Sequence, residues 1–234
     1  MKHKYILLVL LYTLTLAAVF SVNAIATGTG FSTYLMPKDE AERFIQNINL
    51  TVISKEPAKA AIECFDVADN GVIAVGHGSS TQKNVSIYDG SGKFQYGYTF
   101  ECYGSFGLEW SGTDLVLYFV RGDVALGVSQ DGTISEACYI QNTAENNSHW
   151  NSFVFATERN HGDTNYRIEN DLGIFNLTAS NFTRLVVTNA DGDENIIYDV
   201  NSEQLFKMII LSVFIVVFVG LAVFAIIRKM KELK

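Results

Sequence analysis

The chain has 234 residues, 48% of them hydrophobic and 18% charged, with a formal net charge of -8. Once its two apolar ends are set aside there is room for one domain of ordinary size, since single domains usually run about 100 to 200 residues. Residues 25–204 hold 24 of the 25 acidic residues but only 10 of the 17 Lys and Arg, a net of -14. Such a surface repels phosphate backbones and anionic lipid headgroups, which argues against nucleic acid as a partner.

At the N-terminus Lys2 and Lys4 precede an apolar run from Tyr5 to Phe20, and Val22-Asn23-Ala24 has the small-x-Ala character of a signal-peptidase site. Residues 1–26 therefore read as a signal peptide cleaved between Ala24 and Ile25. The run continues through Ile25 and Ala26, so an uncleaved signal anchor of the same orientation is the alternative. Residues 27–61 read as a juxtamembrane segment with a short helix at 37–50. Pro37 starts it, Asp39, Glu40 and Glu42 occupy its first turn, and Phe44, Ile45 and Ile48 share one face. It is expected to pack under the domain as a stalk.

Beyond Ile62 the pattern changes to period two. Phe94, Tyr96, Tyr98, Phe100 and Cys102 alternate with Gln95, Gly97, Thr99 and Glu101, which predicts a half-buried strand with its aromatic row on the core face. Leu115 to Val120 is continuously apolar and β-prone, as expected of a strand covered on both faces.

Turn glycines punctuate these runs in pairs: Gly71 with Gly92, Gly112 with Gly132, and Gly173 with Gly192, separated by 21, 20 and 19 residues. The interval from Gly92 to Gly132 is 40 residues and from Gly132 to Gly192 it is 60. We read a β-repeat domain at 62–204, with units at about 62–102, 106–141 and 166–200 and an insertion at 142–165. The expected class is mainly β: three four-stranded antiparallel units forming an open or partial propeller or a sandwich.

The segment FDVADNGVIAVG (Phe65 to Gly76), followed by NVSIYDGSGKFQYGYTF (Asn84 to Phe100), resembles one blade of the NHL-type β-propellers. Asp89, Gly92, Lys93 and Phe94 carry the closing D-x-x-G-K-F hairpin. Leu115 to Val120 with Val124 to Ile134, and then Leu185 to Val200, follow the pattern less closely. The resemblance implies propeller-blade-like repeats. Propellers ordinarily close with about four to eight blades, so three units must deal with exposed sheet edges. The layout of two apolar ends around such a domain is also similar to that of membrane-anchored proteins of Gram-positive bacteria.

Met208 to Ile227 is a run of 20 uncharged residues, interrupted only by Ser212 and Gly220. At about 1.5 Å per residue it covers a hydrocarbon layer roughly 30 Å thick, so residues 205–228 read as a transmembrane helix. Arg228, Lys229, Lys231 and Lys234 follow, which assigns 229–234 as a cytoplasmic tail and places the β-domain outside. The expected location is the cell membrane, crossed once or twice.

No HExxH, GxxxxGK[ST], GxSxG or strand-borne GxGxxG occurs, so no catalytic, cofactor-binding or metal residue is assigned. His77 lies in a GHGSS stretch read as a turn, where Ser79 or Ser80 could sit beside a base. Asp89, Asp131, Asp191 and Asp193 flank turn glycines, where Asp caps its own backbone. Arg121-Gly122-Asp123 is read as a hairpin tip, with Gly122 supplying positive φ. Five N-x-[ST] sequons begin at Asn49, Asn84, Asn146, Asn176 and Asn181. Cys64 and Cys102, at the first and last strands of the first unit, are the pair expected to bridge, with Cys138 free; three reduced, buried thiols are the alternative.

The functional expectation is a membrane-anchored extracytoplasmic domain that binds or scaffolds a protein or glycan outside the bilayer. A cell-envelope enzyme and an accessory subunit of a membrane complex are the alternatives. A monomeric domain sealed by the 37–50 helix and the insertion is favoured over a two-chain ring of six units.

Overall fold

The computed structural model describes residues 29–178 and 181–232. The apolar N-terminal segment and the cleavage site at Ala24 and Ile25 lie outside them. The described chain opens with β1 (Thr33–Leu35), α1 (Lys38–Ile48) and β2 (Thr51–Ile53). Four strands follow, β3 (Ile62–Val67), β4 (Ile73–Gly78), β5 (Gln82–Tyr88) and β6 (Phe94–Glu101). Next come β7 (Phe106–Ser111), β8 (Asp114–Phe119), β9 (Val124–Val128) and β10 (Ile134–Ile140), then α2 (Ala144–His149). The last strands are β11 (Glu158–His161), β12 (Thr164–Glu169), β13 (Arg184–Thr188) and β14 (Glu194–Asp199), which lead into α3 (Asn201–Glu232).

These strands form three antiparallel sheets, in the orders β2-β6-β5-β4-β3, β1-β10-β9-β8-β7 and β11-β12-β13-β14, and no barrel closes. Each sheet contains a four-stranded meander. Two of the meanders gain a fifth, outer strand from the N-terminal arm: β2 pairs with β6 and β1 with β10. Free strand edges invite unwanted pairing, and the arm occupies two of them. The run Leu115 to Val120, up to Phe119, lies in β8, which is an inner strand between β7 and β9.

The closing hairpin of each meander has the same construction. Gly92, Gly132 and Gly192 stand at φ 83°, 84° and 84°. Their amides donate to the carbonyls of Asp89, Ser129 and Asn189, each at 2.9 Å. A positive φ of this size is open to glycine at little cost, which is why the sequence carries it there.

Packing follows the alternation of side chains across the strands. One face of the first sheet (Cys64, Val85, Ile87, Tyr98, Phe100) meets the second sheet (Phe106, Leu108, Leu117, Leu126, Val128). Its other face (Ile62, Phe65, Ile73, Val75, Tyr88) meets the third sheet (Tyr166, Ile168, Leu185, Val187, Tyr198). The first sheet is thus the middle layer. The far face of the second sheet is covered by Phe31, Trp150 and Val154, from the chain before β1 and after α2. Gly107 permits this contact, since a Cβ there would stand 2.2 Å from Val154 Cγ1. The far face of the third sheet is polar, with Arg167 paired to Glu169 and Glu194, and Arg184 to Asp171 and Asp199.

Three expectations need correction. The stretch 142–165 is not wholly an insertion, because β11 lies in it and is the first strand of the third sheet. The first turn glycine of that sheet is accordingly Gly162, at φ 57°, while Gly173 lies in the long β12–β13 connection. Helix α1 is not a stalk. Ala41, Phe44 and Ile48 pack on the core between the first two sheets, Phe44 meets Phe119 at 5.1 Å, and Glu40 accepts a hydrogen bond from the Tyr139 hydroxyl at 2.7 Å.

Helix α3 is long and apolar enough to cross a membrane, with mean hydropathy 3.2 and none of its apolar window buried.

Candidate functional site

The first strands of the meanders converge, with β3 lying against both β7 and β11. Asp66 on β3 is 4% exposed, and it accepts the Trp110 amide at 2.8 Å and Arg159 Nε at 3.1 Å. Arg159 also donates to the carbonyls of Glu158 and Phe153, and its guanidinium lies 4.5 Å from the Phe153 ring. The guanidinium is engaged on every side, so it serves as a clamp rather than a free ligand-binding group. A recess of about 260 Å³ opens beside it, bounded by Asp69, Trp110, Asn160 and His161.

On β7, Glu109 accepts the Tyr118 hydroxyl at 2.7 Å and lies 3.2 Å from His149 Nε2. Burial, reinforced by the Glu109 charge, pushes the Tyr118 hydroxyl well above its usual range. This polar trio ties α2 to the second sheet. Sequence reasoning passed over Asp66 and Glu109; the available signal was a carboxylate set among the apolar residues of a strand, where a charge is costly unless paired.

His77 is not in a turn. It lies in β4, fully buried, with Nε2 at 3.0 Å from Ser86 Oγ and Nδ1 without a hydrogen-bond partner. Burial is the main cause that lowers its pKa to about 4, so the ring is neutral at pH 7. Ser86 is equally inaccessible, and the geometry of a base beside a hydroxyl has no route to a substrate here. Nearby, the Tyr88 hydroxyl donates to Glu56 at 2.7 Å and Lys59 lies 4.9 Å from the Tyr198 ring. These contacts fasten the chain between β2 and β3 over the seam of the first and third sheets.

A cleft of about 530 Å³ lies between α1 and the loops after β6 and β8. Phe44, Ile48, Cys102 and Phe119 give it an apolar floor, and Glu101, Tyr103 and Arg121 stand around it. Tyr103 is 66% exposed, and Arg121 has no ion-pair partner among the described residues. The Arg121-Gly122-Asp123 stretch thus lends Arg121 and Gly122 to a cleft wall. Its positive φ belongs to Asp123, at 50°, rather than to Gly122. A short 3₁₀ turn at Val120–Gly122 carries the chain over, and Asp tolerates the left-handed region better than most residues.

Among the described residues, no group of three His, Cys, Asp or Glu side chains is arranged to hold a metal ion. Asp89 accepts from the amides of Ser91 and Lys93, and Asp131 from that of Thr133, each capping its own turn. Asn84 lies within β5, and Asn146 is 2% exposed with its amide nitrogen donating to the Ser32 and Gln141 carbonyls.

The expected bridge between Cys64 and Cys102 is not formed, and all three cysteines are free and buried. Cys64 lies on β3, at one end of the meander, and Cys102 follows β6 at the other. Three strand spacings of about 4.8 Å separate them by roughly 14 Å, about twice the Cα separation a disulfide spans.

No family model matches this chain, and no curated protein does either.

Proposed function

We propose that this chain is a membrane-anchored extracytoplasmic recognition protein, an open propeller of three blade-like units carried on one transmembrane helix. The shared hairpins at Gly92, Gly132 and Gly192 and the meeting of β3, β7 and β11 support the blade-like reading. The three units need no further blades, because one outer face is covered by the α2 region and the other is polar. Both features favour a monomer. The basic residues after Ile227 and the net -14 of residues 25–204 support a cytoplasmic tail and an external domain.

The observation that carries recognition is the cleft beside α1. An apolar floor desolvates a ligand side chain, and Arg121, without an ion-pair partner among the described residues, supplies a cation at the rim. This chemistry fits a protein segment with an apolar side chain next to a carboxylate. An enzyme is a weaker reading, since the histidine and hydroxyl pair of His77 and Ser86 is sealed in the core.

A photoreactive benzoylphenylalanine at position 103 of the full chain in intact cells tests this. The expected result is one discrete protein adduct, lost on Arg121→Glu and absent when the same group replaces exposed Asp191. Equal labelling from both positions, no adduct from position 103, or an adduct that proves to be glycan would overturn the proposed ligand.

A further inference from the structure

Asn201 ties the start of α3 to the β12–β13 connection. Its side-chain amide donates to the Asp171 carbonyl at 2.7 Å, and its oxygen accepts the Thr183 hydroxyl at 3.0 Å. Asp171 and Thr183 stand on either side of the 3₁₀ segment Gly173–Thr178. The segment and the helix therefore leave the domain side by side from one hydrogen-bonded knot. Leu172 roots the segment in the protein at 3% exposure, and its amide is held by Asn176 Oδ1 at 2.7 Å.

Phe175 then lines a groove of about 270 Å³ with Ile209, Ser212, Val213, Val216 and Val217 of α3. Ser212, its single polar residue, already donates to the Met208 carbonyl at 2.9 Å, so the groove presents no unmet polar side chain. Ile174 projects next to it at 84% exposure. Isoleucine so exposed, on a segment whose backbone is curled into 3₁₀ turns, is ill suited to water and well suited to hydrocarbon. The helix residues in the groove belong to the first half of the uncharged run Met208 to Ile227. At about 1.5 Å per residue, Val217 lies roughly 14 Å beyond its start.

We infer that Gly173–Thr178 is a second membrane contact: it dips into the outer leaflet beside α3, and an acyl chain fills the groove between Phe175 and the helix. This rests on the reading of α3 as a spanning helix. With two points of attachment, the domain is held at a fixed angle to the bilayer instead of swivelling on one helix. The groove is continuous with the exposed apolar surface of the helix, and that continuity favours lipid over a soluble protein as occupant.

The test uses full chains carrying single new cysteines, Ile174→Cys, Val216→Cys or Asp163→Cys, labelled in the folded state with a nitrobenzoxadiazole group. The native thiols are at most 5% exposed, so labelling falls on the new residue. The proteins are placed in phosphatidylcholine vesicles with and without phosphatidylcholine spin-labelled on its acyl chain. Loss of fluorescence at positions 174 and 216 but not at 163 is expected. Quenching at 216 alone leaves α3 in the membrane and overturns the second contact. A blue-shifted probe at 174 that spin-labelled lipid does not quench assigns the groove to protein instead. Absence of quenching at both 174 and 216 overturns the spanning helix itself, and the second contact with it.

Discussion

Asp66 and Arg159 form a 3.1 Å ion pair, their side chains 6% and 10% exposed, between the first strand of the first sheet and the first strand of the third. The pair joins chain segments 93 residues apart. Removing one partner leaves the other charge buried without compensation, which costs about 3 to 5 kcal/mol. Arg159→Met and Asp66→Asn are each expected to lose stability in that range, whereas the double substitution loses less than the sum. Urea unfolding of the detergent-solubilised chain measures this coupling, and strict additivity would show that the pair is not a clamp.

His77 makes stability fall in mild acid. Its folded pKa is about 4, against an unfolded value of 6.5, because burial disfavours the charged ring. Between these values the unfolded chain binds more protons, so stability rises with pH through that window and is complete above it. The full effect is about 3 kcal/mol, lost progressively as pH falls from 6.5 towards 4. Carboxylates titrate in the same range. The expected observable is therefore a difference, with His77→Gln flatter between pH 6.5 and 4 than the parent.

Substitution of the three hairpin glycines is expected to rank by what surrounds them. All carry the same backbone strain when a Cβ is added, about 1 to 2 kcal/mol. A Cβ at Gly132 would stand 2.6 Å from Val52 Cγ2 and one at Gly92 3.0 Å from Ile197 Cδ1, while at Gly192 nothing lies within 4 Å. Alanine should therefore destabilise most at 132, less at 92 and least at 192. Full tolerance at all three positions in thermal melts would remove the shared hairpin geometry.

The thiols should be silent in the folded protein and all available once it unfolds. Burial raises Cys64 well above its ordinary pKa, and burial together with Glu136 raises Cys138 to about 12. Thiolate is the reactive form, so native labelling at pH 8 should be slow. Maleimide labelling in denaturant without reductant should add three groups, and one group only would restore the bridge.

External protease on intact cells should digest the β-domain and spare a tag placed after Lys234. Loss of the tag with the domain intact would invert the proposed orientation.

The features legible in the sequence are those that local chemistry decides. The hairpins at Gly92, Gly132 and Gly192 follow from backbone freedom, the β6 face from period two, and the apolar length of α3 from hydropathy. Each depends on residues close together in the chain. The insertion boundary failed because β11, four residues long and polar on both faces, has no periodic signal of its own; it becomes a strand by pairing with β12. The Cys64–Cys102 bridge was contradicted by the four-stranded unit itself, whose first and last strands are its two edges.

What only the tertiary structure decided is which surfaces meet. Burial of His77 depends on the third sheet covering β4, and the role of Arg159 on Asp66 lying across a seam far away in sequence. The N-terminal arm has the look of a linker until β1 and β2 find the outer edges of two sheets. Turn conformation and hairpin pairing are set by neighbours in sequence, but edge pairing, burial and charge pairing are set by neighbours in space. The cleft beside α1, and the segment alongside α3, belong to the second kind.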